Sequence, residues 1–172
     1  PDSLDETLPY LGRLLSLPLD EGTEARLRGL PAKGIKANTF RAIEMLLERA
    51  AQRQPLVIVC EDLHWADPTS LDMLGQLLPL TDRVPVLLVC VLRPQTEHGC
   101  WRIRETVARE YRHRHTDLWL EALSPAESEE LVGNLLQIED LPRELRERVL
   151  AHSEGNPFYV EEILRTLINS GI

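Results

Sequence analysis

Two adjacent acids, Glu61 and Asp62, directly follow the apolar run Leu56–Cys60 and are the side chains of this sequence best suited to chemistry. No polar residue alternates within the run, which is typical of a strand buried on both faces of a parallel sheet. In open α/β sheets, ligands bind at the edge where the strands end. Neighbouring carboxylates repel each other, and a divalent cation relieves that repulsion. The arrangement can therefore hold Mg²⁺ and a water molecule beside a phosphate group.

Two other interpretations of this segment are open at this point. In the first, the acids lie in a solvated turn and Asp67 caps the helix that follows. The second is the metal site of a metal-dependent hydrolase, formed by Glu61, Asp62, His64 and Asp67. Adjacent and alternating positions that leave a strand rarely converge on one ion, which disfavours this site. Trp65 is expected to pack beneath the edge of the sheet rather than to contact a ligand.

The composition is that of an ordinary soluble domain with an excess of acidic residues. Of the 172 residues, 43% are hydrophobic, and the formal net charge is -9. This charge argues against a general binder of nucleic acid or anionic membranes, because phosphate neutralisation needs clustered Lys and Arg. No apolar stretch approaches the ~20 residues of a membrane helix, and we expect no signal peptide. We therefore expect a cytoplasmic location.

The three cysteines, Cys60, Cys90 and Cys100, show no CxxC spacing. Buried thiols in a reducing compartment are therefore favoured over disulfides or a zinc site. The sequence begins at Pro1 without a Met, which is expected of a segment of a longer protein.

The first part of the chain alternates between predicted helices and predicted strands. Leucines at helical spacing predict a helix over 4–17, and a connection containing Gly and Pro covers 20–38, with a short helix at 24–30. An amphipathic helix begins at Phe40 and ends before Pro55. The elements that follow are a strand at Leu56–Cys60, a helix at 68–78, a strand at 85–92, a helix at 101–111 and a short strand at 118–120. This alternation predicts a parallel sheet.

After Leu123, the sequence predicts helices alone. Ser124 and Glu127 have the spacing of a capping box that begins a helix ending near residue 137. A further helix covers 142–152, and Pro157 begins another after a Gly-Asn stop. The predicted domains are 1–122, with mixed helices and strands, and 123–172, with helices.

Four blocks of sequence occur in the order seen in a known family: LVIVCEDLHWADPTSLDML, VLLVCVLRP, LEALSPAESEELV and EGNPFYVEEIL. Over about 40–172, the chain resembles the STAND branch of the AAA+ ATPases, the signal-transduction P-loop NTPases of bacterial LuxR-type transcription regulators and cyclase-associated proteins. Four blocks in order are more specific than any single motif. The resemblance implies an α/β fold, with a partial P-loop NTPase sheet flanked by helices and then an all-helical lid subdomain.

The resemblance also implies roles for individual residues. Glu61 and Asp62 match the Walker B acids, which hold Mg²⁺ directly or through water and polarise the attacking water. Arg93 matches the sensor-one residue that detects the γ-phosphate, and Pro157 matches the GxP motif of the lid. The family commonly has two aspartates where this chain has Glu and then Asp, so the division of labour between the two acids stays open.

The phosphate-binding loop of a P-loop NTPase, GxxxxGK followed by Ser or Thr, is absent from the sequence. Gly29 and Gly34 have the glycine spacing, but Ile35 precedes Lys36 and Ala37 replaces the hydroxyl residue. The resemblance places the missing loop before residue 4 and its strand between those predicted at 85–92 and 118–120. Without that strand, backbone edges are left unpaired. We therefore expect this chain by itself to be marginally stable and neither to bind ATP tightly nor to hydrolyse it.

The expected function is part of an ATP-dependent regulatory switch with ATP and Mg²⁺ as cofactors. The expected partners are ATP and the effector or sensor domains of the parent chain, with oligomerisation and without direct contact to nucleic acid or membrane. The alternative is a catalytically inactive NTPase-like scaffold for protein contacts. The sequence upstream distinguishes the two, because an intact phosphate-binding loop favours the switch.

Overall fold

A computed structural model describes residues 4–135 and 142–169 and divides the chain into two compact units, Pro1–His115 and Thr116–Ile172. The elements of the first unit are α1 (Leu4–Leu14), α2 (Glu21–Arg28), α3 (Ala32–Arg53), β1 (Leu56–Cys60), α4 (Pro68–Leu77), α5 (Leu80–Arg83), β2 (Val86–Cys90) and α6 (Cys100–Glu110). Those of the second unit are α7 (Pro125–Leu135), α8 (Arg143–Ser153) and α9 (Pro157–Asn169). The described residues are thus mostly helical, with a small parallel sheet.

The sheet of the first unit consists, in the described residues, of β1 and β2. The strands run parallel and in register from Leu56 beside Val86 to Cys60 beside Cys90. Parallel neighbours need a crossover connection, which α4 and α5 supply. The predicted parallel pairing of the two apolar runs is confirmed.

The helices of the first unit pack mainly on α3, which contacts both α1 and α4. Buried Phe40, Ala42 and Ala51 lie on α3 and supply much of the apolar core, together with Leu74 of α4 and Leu80 of α5. Helix α4 also contacts α6. Burial of these side chains, rather than helix propensity, holds the helices in place.

Helix α3 begins at Ala32, so the connection predicted over 20–38 is wrong in extent. Pro31 precedes the helix, with a backbone φ of -59°. A proline just before a helix already has a φ close to helical values, and its missing N–H is not needed there. The carbonyl of Pro31 accepts from Gly34 N at 2.9 Å and Ile35 N at 3.1 Å, which starts the helix eight residues before Phe40.

The expectation that β1 is buried on both faces is also wrong. Val57 is 61% exposed and Val59 is 54% exposed, while Leu56, Ile58 and Cys60, which alternate with them, are half-buried. Leu87, the partner of Val57 on β2, is exposed as well. No element among the described residues covers this face of the sheet. An unbroken apolar run therefore lies here in a strand that buries one face.

The short strand predicted at 118–120 is not formed. Leu118 and Leu120 are exposed, Leu120 to 95%. A strand needs a neighbour to bond its backbone N–H and C=O groups, and an apolar triplet by itself does not supply one. The described sheet therefore has two strands where three were predicted.

In the second unit, α7, α8 and α9 contact one another around a core of buried residues, Val132, Val149, Val160 and Leu164. The predicted capping box at the start of α7 is confirmed. Ser124 N donates to Glu127 Oε2 at 2.8 Å, and Glu127 N donates to Ser124 Oγ at 3.3 Å. These hydrogen bonds lower the pKa of Glu127, the side-chain bond to Ser124 most. The end of α7 predicted near residue 137 lies outside the described residues.

Gly155 separates α8 from α9 with a φ of +76°, a left-handed conformation that glycine adopts without a Cβ clash. Its carbonyl accepts from Leu123 N at 2.8 Å. The helix that follows buries Val160 and Leu164, whereas Phe158 and Tyr159 at its start are exposed. No helix in the described ranges combines the length and the apolar character that a bilayer-crossing segment requires.

Candidate functional site

The candidate site lies at the edge of the sheet where β1 and β2 end together. The hydrogen bonds between the two strands continue beyond Cys60 and Cys90, because Val91 N donates to Cys60 O at 2.8 Å and Leu63 N donates to Val91 O at 3.1 Å. Glu61 and Asp62 lie between these two hydrogen bonds. The backbone on both sides of the acids is therefore fixed to the neighbouring strand.

Asp62 has a left-handed backbone conformation, with φ 52° and ψ 34°. Aspartate is among the few residues that adopt this conformation readily. The carbonyl of Asp62 accepts from Trp65 N at 2.8 Å, which begins a short 3₁₀ turn at Leu63–Trp65. The side chains of Glu61 and Asp62 are exposed. Mg²⁺ is usually held by one or two carboxylates together with phosphate oxygens and water, so this pair of donors fits the ion.

Arg93 follows β2 and approaches the same loop. Its guanidinium carbon lies 5.8 Å from the centre of the Trp65 ring, within the range of a cation–π contact. In the described part of the chain, Arg93 forms no ion pair with a carboxylate. Trp65 itself is 72% exposed, so the expectation that it packs beneath the sheet edge is wrong. The edge thus presents two acids, one arginine and one exposed indole.

His64 takes the inward position in the turn, with 3% of its side chain exposed. Neither ring nitrogen has a hydrogen-bond partner among the described residues, and Nε2 lies 3.9 Å from Asp62 Oδ1. The His64 ring is 4.7 Å from the Trp65 ring and 5.9 Å from the His98 ring, centre to centre. Over residues 4–135 and 142–169, no three His, Cys, Asp or Glu side chains are arranged to hold a metal ion. The four-residue metal site with His64 and Asp67 is therefore not formed.

Asp67 caps α4, as the turn interpretation predicted for this residue. Its Oδ1 accepts from Thr69 N at 2.8 Å and Ser70 N at 3.2 Å, and its Oδ2 accepts from Ser70 Oγ at 2.6 Å. The hydroxyl of Ser70 and these backbone amides hold the pKa of Asp67 below its ordinary value. Helix α4 begins at Pro68 directly after the cap. The Asp67 carboxylate therefore serves as the N-cap of α4.

The glycine pair near the start of the chain is not a phosphate-binding loop. Gly29 ends α2, and Gly34 lies inside α3, so the segment joins two helices rather than a strand and a helix. Lys36 Nζ bonds Asp72 Oδ2 at 2.7 Å and lies 5.3 Å from the centre of the Phe40 ring. Lys36 thus joins α3 to α4.

Pro157 is the first residue of α9 in the second unit. Asn156 caps this helix, with its Oδ1 accepting from Phe158 N at 3.0 Å. The helix start at Pro157 is confirmed, and its approach to a nucleotide stays a prediction.

Cys60 and Cys90 lie directly beside each other, a pairing that we did not predict from the sequence. Each cysteine follows four apolar residues of its run, LVIV before Cys60 and VLLV before Cys90, which was the available signal. Burial raises the pKa of both thiols. For Cys90, burial and then the nearby Cys60 raise the pKa to about 11.

Comparison with known proteins matches the chain to two families. The family described as AAA ATPase domain matches residues 2–89, just over half of the chain. The chain belongs to the AAA ATPase domain family. Both acids of the edge lie within the match, whereas Arg93 lies just beyond it. A second family, a domain of unknown function (DUF8739), matches residues 124–171.

One relative is an uncharacterized protein of Rhizobium meliloti (strain 1021), 44% identical over 62 residues. The alignment covers 36% of this chain and 6% of that protein, so the chain spans a small part of the length of this relative. No solved structure matches the chain.

Proposed function

We propose that this AAA ATPase segment is part of an ATP-binding and hydrolysing regulatory switch, in which Glu61 and Asp62 serve the Mg²⁺–nucleotide complex. The observation that carries the proposal is the position of the two exposed acids at the carboxyl edge of a parallel sheet, inside the family match. Membership of the family implies nucleotide binding. Regulation as the output rests on the resemblance to signal-transduction ATPases.

In the proposed site, bound ATP and Mg²⁺ supply the phosphoanhydride to be cleaved and the charge that neutralises it. One of the two acids holds the ion, and the other accepts a hydrogen bond from the attacking water and orients it. Arg93 stabilises the charge on the terminal phosphate. Its guanidinium group is available for this role because it has no carboxylate partner among the described residues. Positioning and charge stabilisation are the main sources of rate in such sites.

We further propose that the second unit is the beginning of a helical lid, with Pro157 directed at the nucleotide. The support is that the elements of its described residues are all helices. Hydrolysis of ATP would change the packing of the two units, and effector or sensor domains of the parent protein would respond to that change.

The test measures binding of a fluorescent ATP analogue with and without Mg²⁺. It compares this chain with a longer form of the natural protein that carries a GxxxxGK[ST] loop. We expect Mg²⁺-dependent binding and turnover by the longer form alone. In that form, Glu61→Gln and Asp62→Asn should each lower turnover by about 100-fold or more.

Asp67→Asn is the matched control, because Asp67 lies in the same segment but caps α4. It should retain turnover. Absence of nucleotide binding by the longer form would overturn the switch and favour the inactive scaffold. Turnover by the 172-residue chain that Asp62→Ala abolishes would instead overturn the need for an added loop.

A further inference from the structure

Cys60 and Cys90 form the last register pair of the parallel sheet. Neighbouring strands lie about 4.7–4.9 Å apart, and disulfides join Cα atoms about 4.4–6.8 Å apart. Both cysteines are free thiols. Their backbones are therefore already at a separation that a disulfide can bridge.

The two side chains also project to the same side of the sheet. Successive residues of a strand point to opposite faces. Val57 and Val59 of β1 define the exposed face, so Cys60 points to the half-buried face. Cys90 is its in-register partner on a parallel strand and points the same way.

We propose that Cys60 and Cys90 are a dithiol modification site that a peroxide closes to a disulfide. In the first step, one thiol loses its proton, its sulfur attacks a peroxide oxygen, the O–O bond breaks, and the proton leaves with the released oxygen as water, which gives a sulfenic acid. Because burial raises the pKa of both thiols, this step is slow at neutral pH and faster in alkaline solution. In the second, the other sulfur attacks the sulfenic sulfur, the S–S bond forms, the S–O bond breaks, and a second water leaves. Two thiols and one hydrogen peroxide thus give one disulfide and two waters.

The geometry assigns this bond a reversible rather than a structural role. Cβ atoms of directly opposed residues on parallel strands are separated by about the strand spacing, somewhat more than the roughly 3.5–4.5 Å typical of disulfides. Closing the bond draws the strand ends together by a few tenths of an ångström, and a strained disulfide is readily reduced. Glu61 follows Cys60 directly, and Arg93 follows Cys90 by three residues. The movement therefore falls at the candidate site, and its effect on nucleotide binding rests on the proposed function.

The direct test treats the reduced protein with hydrogen peroxide and maps the product by mass spectrometry. We expect a loss in mass of two hydrogen atoms, a peptide that joins Cys60 to Cys90, and full reversal by dithiothreitol. Cys100→Ser is the matched control and should still form the cross-link, because Cys100 begins α6 and has no strand partner. Mapping of the unsubstituted protein does not depend on the folding of any variant. A cross-link to Cys100, a cross-link between molecules, or overoxidised thiols without a cross-link would overturn the dithiol site.

A second measurement tests whether the disulfide changes nucleotide binding. The longer, nucleotide-binding form is oxidised, and Mg²⁺-dependent binding of the ATP analogue is compared before and after reduction. We expect at least a several-fold loss of affinity that dithiothreitol restores and that Cys90→Ser prevents. A cross-link with unchanged affinity overturns the effect on binding and leaves the dithiol site in place. A cross-link in a protein that never binds nucleotide overturns the proposed function alone.

Discussion

The side chains of the segment from Glu61 to Asp67 lie in three environments, which are the solvent, the protein interior and the start of a helix. Asp62 adopts a left-handed conformation and directs its carboxylate outward, and His64 turns inward. Trp65 is exposed beside Arg93. One tight turn therefore gives neighbouring residues different chemistry, because each step around a 3₁₀ turn rotates the side chain by about a third of a circle.

The cap of α4 gives a prediction at the level of one residue. Asp67→Ala removes the acceptor of two backbone amides and the partner of the Ser70 hydroxyl. We expect the melting temperature to fall by a few degrees, whereas Asp67→Asn should recover most of the loss, because Asn is a comparable N-cap. Thermal unfolding followed by circular dichroism measures both.

The pH dependence of this effect has a definite sign. The folded-state pKa of Asp67 is lowered, chiefly by Ser70. Its ionisation therefore adds stability above the unfolded pKa, near 4, and this contribution is lost as the pH falls through the folded value. The difference between the native protein and Asp67→Asn should shrink in acid. A difference that stays constant from neutral pH to pH ~2 would contradict the assignment of the cap as ionised.

How much of the site the sequence predicts depends on whether the interaction is local. The cap at Asp67 and the position of the acids after a strand follow from residues within a few positions of each other. The inward turn of His64 and the exposure of Trp65 do not, because they depend on the conformation of Asp62 and on what covers the edge. The contact of Arg93 with Trp65 joins segments on different strands and needs the parallel register.

The same distinction separates the elements that were predicted correctly from those that were not. Helices α4 and α7 have capping signals and helical periodicity within their own sequence, and both begin where they were predicted to begin. A strand needs a partner elsewhere in the chain. Residues 56–60 pair with residues 86–90, whereas residues 118–120 have no partner among the described strands. Apolar runs thus indicate a strand and leave its pairing and its covered faces undecided.

The joint between α8 and α9 gives a prediction for whole elements. A Cβ added at Gly155 would lie 2.4 Å from the carbonyl oxygen of Leu123, and its φ of +76° is unfavourable for alanine. Gly155→Ala should therefore lower the free energy of unfolding by more than about 1 kcal/mol. Hydrogen exchange should increase across α8 and α9, which this joint connects.

Gly133 is the matched control for that substitution, since it lies within α7 and a Cβ there meets no atom of the described residues within 4 Å. Gly133→Ala should raise the free energy of unfolding by about 0.5–1 kcal/mol, because alanine loses less backbone freedom in a helix. Equal effects of the two substitutions would show that Gly155 is not needed for its backbone conformation.

At the scale of the molecule, the two family matches follow the two compact units. The AAA ATPase domain match ends within Pro1–His115, and the second match lies within Thr116–Ile172. The proposed catalytic acids therefore belong to one unit and Pro157 to the other. A switch of the proposed kind requires both, because a lid acts on a nucleotide that the sheet edge holds.

The uncovered face of the sheet leads to the last prediction, which concerns the association of whole molecules. Val57, Val59 and Leu87 expose apolar surface on adjacent strands, and such surface promotes self-association. Val57→Thr combined with Val59→Thr keeps the β-branched shape that strands favour and places hydroxyls in water. We expect light scattering to show less concentration-dependent association, with little change in melting temperature. Ile58→Thr, on the half-buried face, is the control and should lower the free energy of unfolding by about 1–3 kcal/mol without reducing association. If the double variant associates as strongly as the native chain, this face is not the one through which the molecules meet.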